Sequence, residues 1–112
     1  MSPGIAIPLK GPIVQTVLGQ MDMLSRLEQK VLELASVMGI DFDHSLVADV
    51  LEQERSKVSE MLDSIETRTD LIKDVGHGYC FSDAMTRDVI RAQVSPMRQK
   101  ELLNAADRSL KK

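Results

Sequence analysis

Few side chains in this sequence could bind a metal ion. The chain has two histidines, His44 and His77, and a single cysteine, Cys80. Protein zinc sites take three or four Cys, His or carboxylate ligands at recurring spacings, and these residues match none of them. His77 and Cys80 could supply two ligands together, but we interpret His77 as a solvated turn residue and Cys80 as an edge-strand residue. We therefore predict no metal site and no cofactor.

The residues needed for nucleotide chemistry are also missing. A phosphate loop has a second glycine before its lysine and a Ser or Thr after it, and the stretch from Gly4 to Lys10 has neither. Acidic pairs such as Glu52 and Glu54 are interpreted as solvated faces rather than as an acid–base pair. We therefore predict that the chain is not an enzyme and does not bind ATP by itself.

Residues 71–82 say most about the fold. Apolar residues on both sides of Gly76 and Gly78 predict a β-hairpin, because glycine accepts the positive φ angles of a tight turn. Tyr79 and Phe81 alternate on the second strand and should both face the helices. The chain has only one tyrosine and two phenylalanines, so we expect Tyr79 and Phe81 to be among its most buried residues.

The sequence outside the hairpin is helical in pattern. Ser25 and Glu28 form a capping box, in which each side chain accepts a hydrogen bond from the other residue's backbone N–H. Apolar residues at three- and four-residue intervals follow it as far as Gly39, which ends the helix. Other helices are predicted over residues 12–22, after an Asp43 cap, from Gln53 to Thr69, from about Asp83, and from Ser95-Pro96 onward. Their apolar faces include Ile13, Val17 and Met21 on the first helix, and Leu102, Leu103, Ala106 and Leu110 on the last.

Composition limits the function classes. A chain of 112 residues forms one domain, and a net charge of −3 gives no overall attraction to nucleic acid or to anionic membranes. The single cysteine fits a reducing compartment, and no apolar run approaches the roughly 20 residues of a membrane span. We expect a cytoplasmic protein with a linker over residues 1–11 and one domain over residues 12–112, which is a fragment of a larger multidomain protein.

Helices followed by a hairpin and further helices predict the fold class. We expect a mainly α protein with a small β-hairpin, arranged as a winged helix with additional flanking helices. Winged helices often bind DNA through the helix before the wing. Here that helix, over residues 53–69, has more acidic than basic residues in and beside it, whereas phosphate contacts require a basic surplus. A stand-alone DNA-binding regulator therefore remains only an alternative, as does a protein-interaction adaptor.

Short motifs across nearly the whole chain also carry a family resemblance. The sequence resembles the region that follows the nucleotide-binding domain in STAND-type signalling ATPases, and most closely the branch found in ATPase-linked adenylate cyclases, kinases and MalT-like transcription regulators. The matching positions are Pro8, Asp22, Leu24, Glu28, Gln29, Val31, Leu32, Ala35, Ser36, Val37, Gly39, Tyr79, Phe81 and Arg87.

The resemblance implies a function and a partner. In that family this region is a winged helix that packs on the ATPase domain and helps to couple the bound nucleotide to an effector. A family histidine that can approach the nucleotide's β-phosphate falls at Asp83, where a carboxylate would repel phosphate; we interpret Asp83 as a helix-start residue instead. The expected partner is a nucleotide-binding domain. Without it, Ile5, Ile7, Ile13 or Met85 should be partly exposed, and the isolated chain could self-associate.

Overall fold

The computed structural model describes residues 12–110, so the predicted linker over residues 1–11 lies outside the described residues. The described residues are mainly helical with a small antiparallel sheet, as the sequence predicts. None of their helices is both long enough and apolar enough to cross a membrane. In chain order the elements are α1 (Pro12–Asp22), α2 (Arg26–Met38), β1 (Asp41–Phe42), α3 (His44–Leu51), α4 (Arg55–Arg68), β2 (Ile72–Asp74), β3 (Tyr79–Phe81), α5 (Ala84–Ala92) and α6 (Pro96–Leu110).

The hairpin forms where it is predicted, but it belongs to a three-stranded sheet. The strand order is β1-β3-β2, and both neighbours run antiparallel to β3. Ile72 lies opposite Phe81 on one side of β3, and Phe42 lies opposite Tyr79 on the other. The strand β1 was not predicted, because two residues are too few to show an alternating pattern.

Of the two glycines in the hairpin turn, only Gly76 has a backbone conformation that favours glycine. Gly76 has a φ of 92°, and Asp74 Oδ1 accepts a hydrogen bond of 2.7 Å from its backbone N–H. Gly78 has no positive φ in the structure. Val75 leaves the strand and is partly exposed, because β2 ends one residue earlier.

The predicted helix caps are confirmed by their hydrogen bonds. Ser25 Oγ accepts from Glu28 N at 3.1 Å, and Glu28 Oε1 accepts from Ser25 N at 2.8 Å. Asp43 Oδ1 accepts from Ser45 N at 2.8 Å, and Ser95 Oγ accepts from Arg98 N at 3.2 Å.

The corners α1–α2 and α5–α6 are built in the same way. In each corner a glutamine four residues after the N-cap serine donates from Nε2 to two carbonyl oxygens of the preceding turn. Gln29 donates to Met21 O at 2.8 Å and to Leu24 O at 3.4 Å. Gln99 donates to Arg91 O at 3.1 Å and to Val94 O at 2.8 Å. Met21 O and Arg91 O also accept from the backbone N–H groups of Leu24 and Val94, so each glutamine adds a further hydrogen bond that ties the end of one helix to the start of the next.

The core lies where α2 and β3 meet the surrounding helices. Tyr79 and Phe81 are both buried, as predicted, and the ring centroids of Phe81 and Phe42 are 5.3 Å apart. The largest side chains that are almost fully buried are Phe81, Leu32, Leu34, Leu62, Ile65, Leu71, Ile90, Val31, Val47, Val58 and Val89.

Two of the predicted helix faces are wrong in part. Leu103 and Leu110 were expected to be buried but are 48% and 68% exposed. The helix α6 packs against α2 and α3 through the face of Leu102 and Ala106, so that Leu103 and Leu110 lie beside the contact. On α1, the buried residue of the first turn is Val14, and Ile13 is 54% exposed.

Phe81→Ala should lower the free energy of unfolding by about 3–5 kcal/mol, because it removes an aromatic ring from a position that is 1% exposed. Met97→Ala on α6, which is 72% exposed, is the control and should cost less than about 0.5 kcal/mol. Denaturant unfolding of both variants checks this. A loss below about 1 kcal/mol for Phe81→Ala would contradict its place in the core.

Candidate functional site

The surface that the sequence predicts for a partner domain forms a groove between α1 and the start of α5. This α1–α5 groove has a volume of about 400 Å³. It includes both Ile13 and Asp83, which lie far apart in the sequence. Its lining residues are Ile13, Thr16, Val17, Gln20, Asp70, Leu71, Ser82, Asp83 and Thr86.

Backbone and side-chain hydrogen bonds fix the middle of the groove. Gln20 Oε1 on α1 accepts a 3.1 Å hydrogen bond from Asp70 N, and Ser82 Oγ donates to Asp70 O. Ser82 N donates to Leu71 O at 2.9 Å, which extends the β2–β3 pairing by one step. The segment before β2, the residue after β3 and the helix α1 are therefore held together without a ligand.

Asp83 is the N-cap of α5. Its backbone is extended, and its Oδ1 accepts a 2.7 Å hydrogen bond from Thr86 N. That backbone hydrogen bond is the largest cause that holds the pKa of Asp83 below its ordinary value of 3.8. The carboxylate is therefore charged at neutral pH and engaged in the hydrogen bond that caps α5, as expected for a residue at the start of a helix. Replacement by His would remove this hydrogen bond and cost stability.

The apolar part of the groove centres on Ile13. This side chain is exposed over about half of its surface, whereas its neighbours Val17 and Leu71 are buried. Of the other residues expected at a partner surface, Met85 is half-buried and packs against the core, while Ile5 and Ile7 lie outside the described residues. Ile13 is thus the apolar residue of the groove that a partner would cover.

Arg87, one of the motif residues, lies one helical turn after Asp83. Its Nε is 3.2 Å from Asp88 Oδ1, which is close enough for an ion pair. The same Nε is buried and makes no hydrogen bond within the described residues, so the two groups are poorly aligned. Arg87 does not line the α1–α5 groove.

The histidines and the cysteine do not form a metal site within the described residues. Cys80 is buried, His77 is exposed on the turn, and the His44 ring meets the Tyr79 ring edge-on at 5.6 Å between centroids. The one described group of possible metal ligands is Asp63, Glu66 and Asp74, whose ligand oxygens lie within 4.8 Å of one another. Nothing in the sequence pattern predicts this group, because its members belong to α4 and to β2.

These three carboxylates already have structural roles. Asp63 accepts a 2.6 Å hydrogen bond from the Tyr79 hydroxyl, and Glu66 accepts one of 2.8 Å from Asp74 N. Burial, followed by the hydrogen bond to Asp63, raises the pKa of Tyr79 above its ordinary value of 10.0. The group joins the β2–β3 hairpin to α4.

The exposed side of α4 has no basic surplus for phosphate contacts. The exposed acidic residues in and beside it, Glu54, Glu60 and Asp63, are matched by the exposed basic residues Arg55, Lys57 and Arg68, and Asp74 adds a carboxylate from the adjacent strand. Further basic side chains are exposed on the α5–α6 part of the chain, at Arg91, Arg98, Lys100 and Arg108. Comparison with known proteins gives no match to a protein-family model, to a curated protein or to a solved structure.

Asp83→Ala should lower the free energy of unfolding by about 0.5–2 kcal/mol at neutral pH, because it removes the α5 cap. Since the pKa of Asp83 is lowered in the folded protein, this contribution is present above 3.8 and is lost as the pH falls through the folded pKa. The difference between wild type and Asp83→Ala should therefore shrink in acid. Asp83→Asn, which can cap without titrating, is the control.

Chemical denaturation of the three proteins from neutral pH down to about pH 3 measures this difference. A gap between wild type and Asp83→Ala that stays constant with pH would mean that the carboxylate charge does not contribute.

Proposed function

We propose that the chain is a non-catalytic regulatory winged-helix module that acts by docking on another protein domain. The element order α2, β1, α3, α4, β2, β3 supports a winged helix. In this assignment α3 and α4 are the helix-turn-helix pair, joined by residues 52–54, and β2 and β3 are the wing. The helices α1, α5 and α6 are the flanking additions.

The α1–α5 groove is the observation that carries this proposal. In this groove Ile13 is about half exposed and lies beside buried apolar residues. Hydrogen bonds join the polar groups of α1, of residues 70–71 and of Ser82. A preformed surface with an exposed apolar centre and a polar rim is typical of a protein–protein interface. It is too open to isolate a reaction from water.

The partner that the resemblance favours is the nucleotide-binding domain of the same polypeptide. Nucleotide state would be relayed by a change in how that domain packs on the groove, with Ile13 as the apolar anchor. Asp83 lies at the rim, where its occupied and charged carboxylate disfavours direct contact with a phosphate. In this proposal the module transmits a contact and does not sense the nucleotide itself.

A stand-alone DNA-binding regulator is the second candidate, and it is favoured by the same element order. It would need α4 or the wing to reach phosphate groups. The exposed acidic residues of α4 would repel those phosphates, whereas protein–DNA affinity depends chiefly on basic side chains that neutralise them. The basic residues on α5 and α6 lie on other helices than the one a winged helix usually inserts.

The docking proposal can be tested with the parent gene. If a phosphate loop is encoded upstream, the nucleotide-binding domain that contains it should bind this chain in calorimetry. Ile13→Asp should weaken binding at least about tenfold, because it places a charge in the apolar centre of the contact. Aspartate is favourable in the first turn of a helix, so α1 should persist.

Met23→Asp is the matched control. Met23 is also exposed, lies in the turn after α1 and does not line the groove. Equal binding by wild type and Ile13→Asp, or equal losses for both variants, would reject the groove as the docking surface.

The alternative can be tested directly. Fluorescence anisotropy with a mixed-sequence DNA duplex at low salt should detect no salt-dependent binding in the micromolar range. Calorimetry with ATP and ADP should likewise detect no binding to the isolated chain. Salt-dependent duplex binding that is lost when Arg55 and Lys57 are replaced by alanine would support the DNA-binding candidate instead.

A further inference from the structure

The polypeptide enters α1 at one end of the α1–α5 groove. Pro12 is the first residue of α1, and the next residue, Ile13, is the half-exposed apolar side chain of the groove. Residues 1–11 therefore join the protein beside the surface that the proposed partner would cover. A contact between them and the groove is intramolecular, and a short tether gives such a contact an effective concentration on the order of millimolar.

The sequence of residues 1–11 has the apolar side chains that the groove lacks. Ile5, Ile7 and Leu9 stand at alternate positions, so an extended backbone would place all three on one face. Pro8 favours that conformation, because it cannot donate a helical hydrogen bond and biases the residue before it toward extended backbone angles. Such an apolar strip is a suitable cover for an exposed isoleucine.

The charges of the segment and of the groove are opposite in sign. Lys10 is the only charged side chain in residues 1–11. Within residues 12–110, the charged residues that line the groove are Asp70 and Asp83, and both are exposed. The carboxylate of Asp70 forms no ion pair with a described residue. A lysine close to this rim is therefore electrostatically favourable.

We propose that residues 5–9 lie in the α1–α5 groove and cover Ile13 when no partner is docked. Gly11 allows the chain to reverse its direction before Pro12, so that residues 5–9 would run antiparallel to α1. From Ile13 to Gln20 the axis of α1 rises about 10 Å, a distance that about three to four extended residues cover. The segment is therefore long enough to pass from one end of the groove to the other.

The consequence is a docking surface that the chain covers by itself, and this part of the inference rests on the proposed function. A partner domain must displace residues 5–9 before it can contact Ile13. Its apparent affinity is therefore reduced in proportion to the fraction of molecules in which the groove is open. Residues 5–9 would then control how readily the module docks.

Paramagnetic relaxation in the full chain tests the contact. A nitroxide attached to the thiol of Ser2→Cys would lie beside the groove if residues 5–9 occupy it. Cys80 is buried, so the label should react at the introduced thiol. The backbone amide signals of Gln20 and Thr86, which line the groove on α1 and α5, should then lose intensity.

Substitutions in the labelled chain show whether apolar contact holds the segment in place. Ile5→Ser with Ile7→Ser should restore most of the lost intensity, although the label stays tethered at the same position. Ile13→Ser removes the contact from the side of the groove and should have the same effect. It should fold, because Ile13 is already about half exposed. Met23→Ser changes an exposed apolar residue outside the groove, and it should leave the signal loss unchanged.

Three results would overturn the inference. The first is no loss of signal in the labelled chain, and the second is an equal loss when Ile5 and Ile7 are both replaced by serine. The third is a loss in a chain without nitroxide when it is mixed with the nitroxide-bearing chain, which would identify the segment of a second copy as the occupant.

These measurements are independent of the calorimetry with the partner domain. If binding of that domain depends on Ile13 but the signal loss is absent, the proposed function stands and the self-covering contact is rejected. If the signal loss is present but the domain does not bind, the contact stands and the proposed function is rejected.

Discussion

The pairing of β3 with strands on both of its sides is the constraint on which the rest of the structure depends. All three residues of β3 are buried, and each lies opposite a residue of β1, of β2 or of both. Its first residue, Tyr79, reaches α4 through Asp63 and Ser59. Its last residue, Phe81, packs against Phe42 of β1. A strand of three residues is too short to be stable alone, so it depends on these side-chain contacts as much as on its ladder.

The same strand sets the geometry of the α1–α5 groove. Ser82 follows β3 directly and bonds to the backbone of residues 70 and 71, and Asp83 then begins α5. The direction in which the chain leaves the sheet therefore decides where α5 starts and which residues meet α1. A disturbance of the core at Phe81 should therefore also change the position of the residues that line the groove.

An ion pair also joins α2 to α4. Glu28 completes the cap of α2 with one oxygen and accepts a 2.5 Å hydrogen bond from Arg68 of α4 with the other. This pair is partly buried and charge-assisted, which makes it stronger than an exposed pair.

The sequence by itself determined the features that depend on neighbours a few residues away. The caps at Ser25, Asp43 and Ser95 and the hairpin around Gly76 could be predicted because their hydrogen bonds join residues two or three positions apart. The burial of Tyr79 and Phe81 could also be predicted, since a chain with so few aromatic residues places them in its core. Asp83 was correctly expected to lie at the start of a helix for the same local reason.

Only the tertiary structure decided which side of each helix is covered. The spacing of apolar residues does not show whether Ile13 or Val14 is buried, or whether Leu102 or Leu103 is. Neighbouring side chains on a helix point about 100° apart, and the element that packs against the helix determines which of the two is covered. The strand β1 exists because β3 offers it an edge, and the carboxylates of Asp63, Glu66 and Asp74 come together because β2 packs on α4. Contacts between distant segments carry no local signal, so the α1–α5 groove could be found only once the fold was known.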